Sequence, residues 1–216
     1  MNKLIYIADP MCSWCFGFAP ELAKLQAAVA GKLQLELVMG GLRTGADAQA
    51  LTPEFAQELA HHWQKVTATT EQSFNHDFLN QTNGFIYDTE PACRAVTLMG
   101  EAKPEHQLAY LFALQQGFYQ QKLDITQPQV LADIANEWLD QSFFADLFDS
   151  EAIIEATKQD FEMSRMWQVF SYPTLVYSTG ERMIMLSQGY AKCDAILEGI
   201  ANIEAQLTQQ PDDFEQ

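Results

Sequence analysis

An α/β fold interrupted by an all-helical insertion is what this sequence predicts, on three observations. A short apolar strand, a long amphipathic helix and a second strand follow one another up to Met39. From Arg43 to about Asp149 strand patterns nearly vanish and helix signals take over. Beyond Ser150 the order becomes helix, strand, strand, helix.

Each element has its own signal. Leu4–Ala8 is an apolar run rich in strand formers, closed by a turn at Asp9-Pro10. The spacing of Phe18, Leu22, Leu25 and Val29 predicts one buried face of a helix over Ser13–Ala30, with Gly31 as its C-cap. Pro20 lies about two turns inside and bends the helix, because it removes one backbone hydrogen bond. Leu33–Met39 alternates and then turns apolar, a second strand that the helical crossover makes parallel to the first. Gly40-Gly41 breaks it, and Arg43 follows where α/β folds place ligands, although backbone freedom is the simpler account of the glycines.

Inside the insertion, Thr52-Pro53-Glu54 and Thr89-Glu90-Pro91 each open a helix, the second closing near Gly100. Pro104 opens a third, with Leu108, Leu111, Phe112, Gln115 and Phe118 or Tyr119 on its face, and Thr126-Gln-Pro128 a fourth, with Leu131, Ile134, Ala135 and Trp138. A short fifth begins near Phe143, and Asn83-Gly84-Phe85 is the clearest loop. Ser150-Glu151 then caps a long helix with Ile154, Thr157, Phe161 and Met166 on one side. Thr174–Tyr177 and Arg182–Leu186 form a hairpin, and a last helix runs from about Cys193 to Leu207. The polar, acidic stretch 209–216 is expected to fray.

Composition sets limits on function. The formal net charge of −17 argues against nucleic acid or an anionic membrane as partner, since both demand a basic surface. No stretch reaches the roughly 20 apolar residues of a membrane span. The chain reaches Asp9 with no room for a signal peptide, so a cytoplasmic location is expected. Four cysteines are too few for a disulfide scaffold in 216 residues, which agrees with a reducing compartment. Oligomeric state has no signature.

The chemistry concentrates in Asp9-Pro10-Met11-Cys12-Ser13-Trp14-Cys15. A CxxC pair opening a helix puts its first sulfur near unpaired N–H groups and the positive end of the helix dipole, where thiolate is favoured. The second sulfur comes one turn later, within reach of a disulfide. The rival chemistry for such a pair is a zinc site, which needs two further ligands; Cys93, Cys193 and the four histidines match no companion spacing, so no metal is expected.

This stretch resembles the active site of the DsbA-like branch of the thioredoxin superfamily, and within it the FrnE-like disulfide isomerases. The kinking proline and the element order agree, so the resemblance covers essentially the whole chain. It implies a thioredoxin fold over 1–42 and 150–208, with a helical domain inserted at 43–149. It implies Cys12 as the outer nucleophile and Cys15 as the resolving thiol in dithiol–disulfide exchange. It also implies a cis proline at Pro173, presenting the backbone of Tyr172 to an extended substrate.

Around these, Trp14 and Met11 are expected to form an apolar rim for a peptide-like substrate. Asp9 is either a turn-forming residue or a carboxylate whose charge opposes thiolate formation at Cys12. Cys93 is a candidate third redox thiol, its competing role being simple packing, and Arg94 a candidate for binding an anion such as a glutathione carboxylate. Cys193 is assigned to packing. The expected partners are a disulfide- or thiol-bearing protein or peptide, or glutathione as co-substrate, with no other cofactor. Two rivals stand beside this reading. One is a glutathione-dependent isomerase or transferase of the hydroxychromene-carboxylate isomerase or kappa type, which keeps a serine where this chain has cysteines and for which Ser13 is the candidate. The other is a chaperone-like binding module using an apolar groove of the helical domain.

Overall fold

The computed structural model of the chain describes residues 2–80 and 84–209. Asn83, in the expected loop, and residues 210–216 of the expected tail lie outside that range.

A four-stranded sheet organises the molecule. Its strands are β1 (Lys3–Ala8), β2 (Gln34–Met39), β5 (Thr174–Ser178) and β6 (Met183–Gln188), in the order β2-β1-β5-β6. β1 pairs parallel with β2 and antiparallel with β5, and β5 pairs antiparallel with β6. Both faces of β1 are covered, which explains why Leu4–Ala8 reads as an unbroken apolar run. Leu4, Tyr6 and Ala8 enter the larger core with Leu175 and Tyr177. Ile5 and Ile7 point the other way, into a smaller core with Val38, Val169 and Val176.

Helix α1 (Ser13–Val29) buries Phe18, Leu22, Leu25 and Val29 as its spacing predicts, and Gly31 follows it with φ +75°. Between β2 and β5 lie α2 (Pro53–Thr70), α3 (Glu90–Ala102), α4 (Gln107–Tyr119), α5 (Pro128–Ala135), α6 (Gln141–Phe148) and α7 (Glu151–Met166). Thr52, Asp140 and Ser150 cap α2, α6 and α7 through their side-chain oxygens. The final helix, α8 (Cys193–Gln209), packs against α1 and β6.

Three details differ from the pattern-based expectation. The insertion is not helical throughout: β3 (Gln49–Ala50) and β4 (Ile86–Tyr87) form a small antiparallel ladder, and two-residue strands carry no alternation to read. Helix α4 buries a wider surface than one face, including Tyr110 and Leu114, because it is wedged between α1, α3 and α5. The inner face of α7 is Ile153, Thr157, Phe161 and Ser164, whereas Met166, in the last turn, is 71% exposed.

Helix α7 is tied to the edge of the sheet by Asp160, whose carboxylate accepts from the Met39 N–H at 3.0 Å. Burial lifts this carboxyl from 3.8 to about 6, against the pull of the Met39 bond. The native chain thus holds that proton more tightly than the unfolded chain, so the stabilisation is complete below pH 4 and is lost as pH rises through about 6. Asp160→Asn keeps an acceptor but has no charge to bury. Relative to the parent chain it is expected to gain about 2 kcal/mol between pH 4 and pH 7, read from urea denaturation at a series of pH values.

Candidate active site

Sheet topology brings the site together. The carboxyl ends of β1 and β2 and the amino end of β5 share one edge, since Ile7 pairs with both Val38 and Thr174. Asp9–Cys12 leaves β1 there, Gly40–Arg43 leaves β2, and Tyr172-Pro173 enters β5. The Tyr172–Pro173 peptide bond is cis.

Cys12 is the N-cap residue of α1, with extended backbone (φ −88°, ψ 114°), and its carbonyl accepts from the Phe16 N–H at 3.1 Å. Its thiol lies 3.5 Å from the Tyr172 carbonyl oxygen. Cys12 is 6% exposed and Cys15 is fully enclosed; both are free thiols. Burial pushes the Cys15 thiol well up, and its hydrogen bond and charge interaction with Cys12 push the same way, while the Asp9 N–H draws it down. Cys15 is therefore held as a protonated thiol behind its neighbour.

Asp9 is a completely buried carboxylate. One oxygen accepts from the Met11 N–H at 2.8 Å, closing the turn ahead of Cys12. The other accepts from the Leu42 N–H at 2.7 Å and from the Cys93 thiol at 3.4 Å. Burial raises its pKa, opposed by the bonds from Leu42, Thr89, Met11 and Cys93. The turn-forming role thus holds, and it extends to the loop after β2 and to α3. The charge of Asp9 reaches Cys15 as a minor upward influence.

The remaining residues divide between the opening and the core. Met11 is 1% exposed, and it lines the same cleft as Cys12 from its buried side; its carbonyl accepts from the Tyr87 hydroxyl at 2.6 Å. Cys93 is buried on Asp9, its thiol pushed up chiefly by burial. Arg94 is fully engaged: it pairs with Glu90 at 3.0 Å and Asp149 at 2.7 Å and lies 4.1 Å from the centre of the Phe148 ring, which leaves no free cation for an anionic ligand. Phe16 stacks on Tyr119 inside the core, and Cys193 is buried at the start of α8, where its N–H donates to Glu21. Tyr87 and Trp63 carry no signal in the sequence, and Thr89 only that of a helix start, since each meets the site through long-range folding.

Trp14 and Ser13 are half-buried at the opening. Trp14 separates two clefts. The larger, of about 720 Å³, is lined by Trp14, Phe170, Tyr172, Gly189 and Tyr190 and contains neither cysteine. The smaller, of about 190 Å³, holds Cys12 and Ser13 together with Arg43, Trp63 and Tyr87. Among the described residues no three His, Cys, Asp or Glu side chains converge as metal ligands.

A family model described as thioredoxin matches residues 5–195. The chain belongs to the thioredoxin family. Within it the architecture is DsbA-like. A candidate protein disulfide isomerase from Nitrosomonas europaea superposes with a TM-score of 0.86 at 33% identity, covering 95% of this chain and 98% of that one. The cytosolic disulfide reductase DsbM from Pseudomonas aeruginosa gives 0.76 at 25% identity, covering 96% and 100%. A curated relative, the ClpXP adapter protein SpxH of Halalkalibacterium halodurans, is 27% identical over 78% of this chain; the match spans only 56% of that protein. Among the described residues of this thioredoxin-family chain, no helix is long and apolar enough to cross a membrane.

The Tyr87 bond gives a test of how the turn is held. Tyr87→Phe strands a buried carbonyl and is expected to cost about 1–2 kcal/mol in urea denaturation. It should also make Cys12 more reactive toward iodoacetamide, by loosening the turn ahead of it; an unchanged alkylation rate would show that the turn is held without Tyr87.

Proposed function

We propose that this chain catalyses thiol–disulfide exchange through Cys12 and Cys15, on protein or small-thiol substrates. The observation that carries the proposal is the Cys12 sulfur at the mouth of α1, facing the Tyr172 carbonyl ahead of a cis proline, with Cys15 enclosed one turn behind it. In the oxidising direction for the protein, the Cys12 thiolate attacks a substrate disulfide and one substrate sulfur leaves as thiolate. Cys15 gives up its proton and attacks the Cys12 sulfur of the mixed disulfide. The second substrate thiolate departs, and the protein keeps a Cys12–Cys15 disulfide. Two electrons have passed to the substrate, and the reverse sequence returns them.

Division of labour follows from burial. Only Cys12 has any exposed surface, so it is the sulfur that meets substrate, and Cys15 acts only after a mixed disulfide exists. Tyr172 and Pro173 border the approach and Trp14 forms its wall. The match to DsbM, a structure of which contains GSH, supports a small thiol as the partner that recycles the pair. DsbM being a cytosolic disulfide reductase supports the reducing compartment expected for this chain.

A second reading has one observation in its favour. The curated relatives are adapter proteins, and Phe170, 73% exposed, stands at the larger cleft as a ready contact for another protein. That reading requires no chemistry at sulfur.

The two separate cleanly by mutation. With a disulfide-bonded peptide as substrate, Cys12→Ser is expected to lower turnover roughly a hundredfold or more. Cys15→Ser should accumulate a mixed disulfide at Cys12, identified by mass spectrometry. Turnover that survives Cys12→Ser would overturn the exchange reading, and capture of a client by the double serine variant at undiminished affinity would favour the adapter.

A further inference from the structure

The smaller cleft contains an arginine, Arg43, that pairs with no carboxylate among the described residues. Arg43 is anchored by its backbone, its N–H donating to Thr89 Oγ1 at 3.2 Å and its carbonyl accepting from the Thr89 N–H at 2.8 Å. Its guanidinium carbon lies 4.8 Å from the centre of the Phe55 ring and 5.7 Å from that of Tyr87. Among the described residues it pairs with no carboxylate, and its Nε is buried without an acceptor. This is unusual company for an arginine in a chain with 29 acidic and 12 basic side chains.

A second unmet donor belongs to a residue that lines the same cleft. Trp63 is fully buried and its indole N–H has no acceptor. Unsatisfied buried donors are costly, so a site that retains two of them beside a reactive sulfur is suited to a ligand that accepts. The guanidinium is a planar fork that fits a carboxylate in two-bond geometry, and its position is fixed by stacking on Phe55. The cleft is small, at about 190 Å³. It has room for the end of a low-mass molecule.

We infer that Arg43 and the cleft beside Cys12 form a carboxylate-binding subsite that selects low-mass thiols carrying a carboxyl group as partners of the Cys12–Cys15 pair. The inference rests on the exchange reading above and names the substrate class for one half of it. The carboxylate docks on Arg43, which brings the thiolate of the same molecule to the Cys12 sulfur of the oxidised pair. A sulfur–sulfur bond forms between ligand and Cys12, the Cys12–Cys15 bond breaks, and Cys15 leaves as thiolate and takes a proton. A second ligand thiolate attacks the ligand sulfur of this mixed disulfide and releases Cys12 as thiolate. Two thiols have lost two electrons and two protons and become one disulfide, and the protein pair has gained the electrons. Arg43 touches the substrate and never the reacting sulfurs, so its effect is on selection.

The test measures reduction of the oxidised full-length chain by glutathione, by glutathione esterified at its carboxyl groups, and by uncharged mercaptoethanol. The parent chain is expected to prefer free glutathione over the ester by about tenfold, the scale of one charge-assisted bond. Arg43→Met should lower the ratio of the glutathione rate to the mercaptoethanol rate about tenfold, and Arg43→Lys should restore part of it. The ester comparison uses the unmutated chain, so it stands even if Arg43→Met folds poorly. Equal rates for acid and ester, or a ratio unmoved by Arg43→Met, would overturn the subsite while leaving exchange intact. Failure of every thiol to reduce the parent pair would instead remove the exchange reading itself.

Discussion

The antiparallel pairing of β1 with β5 is the constraint on which the rest of the site depends. Because β1 leads out through Asp9 toward Cys12, and β5 begins immediately after Pro173, antiparallel register sets the two at the same end of the sheet. A parallel β1–β5 pairing would put the Tyr172 carbonyl and the Cys12 sulfur at opposite ends. Parallel β2 adds a third strand terminus to that edge and delivers Gly40 to Arg43 beside the cysteines. The two glycines have a concrete reason to be there. A side chain at Gly40 would run into the Tyr172 ring, whose hydroxyl donates to the Gly40 carbonyl at 2.7 Å, and Gly41 adopts φ +66°.

On this frame, Asp9 acts as a clamp. Its two oxygens collect the turn before Cys12, the loop after β2 and the start of α3, three segments far apart in sequence. Burying a carboxylate without a cation is expensive, and the backbone N–H donors partly offset that cost. Cys93 belongs to this clamp, its thiol occupied by the Asp9 oxygen. The structure thereby separates two thiols at the opening of α1 from two thiols engaged in packing.

Much of this was legible in the sequence. The apolar run of β1, the spacing along α1, the proline-marked helix starts and the CxxC before a helix are local signals, and local signals survive without coordinates. Residues brought in by tertiary folding were not legible. Arg94 and Arg43 are alike as letters, yet one is consumed by Glu90 and Asp149 and the other finds no acid among the described residues. Met11 reads as part of an apolar rim; that it lines the cleft from a buried position, with its carbonyl bonded to a hydroxyl 76 positions away in sequence, comes only from tertiary folding. The β3–β4 ladder escaped because two residues define no period, and the α7 face was misjudged by one position at Ile153, since adjacent isoleucines fit the same spacing.

In the proposed exchange, the near-complete enclosure of Cys12 has a stereochemical consequence. Sulfur transfer proceeds with the entering and leaving atoms on opposite sides of the sulfur under attack, so a disulfide partner must approach end-on along the narrow solid angle that Trp14 and Tyr172 leave open. A bridge lying flat against a rigid protein surface cannot present itself that way, whereas one on a protruding loop, in an unfolded segment or in a small molecule can. Under that proposal the walls of the opening discriminate by the accessibility of a bond, before any side chain of the partner is read.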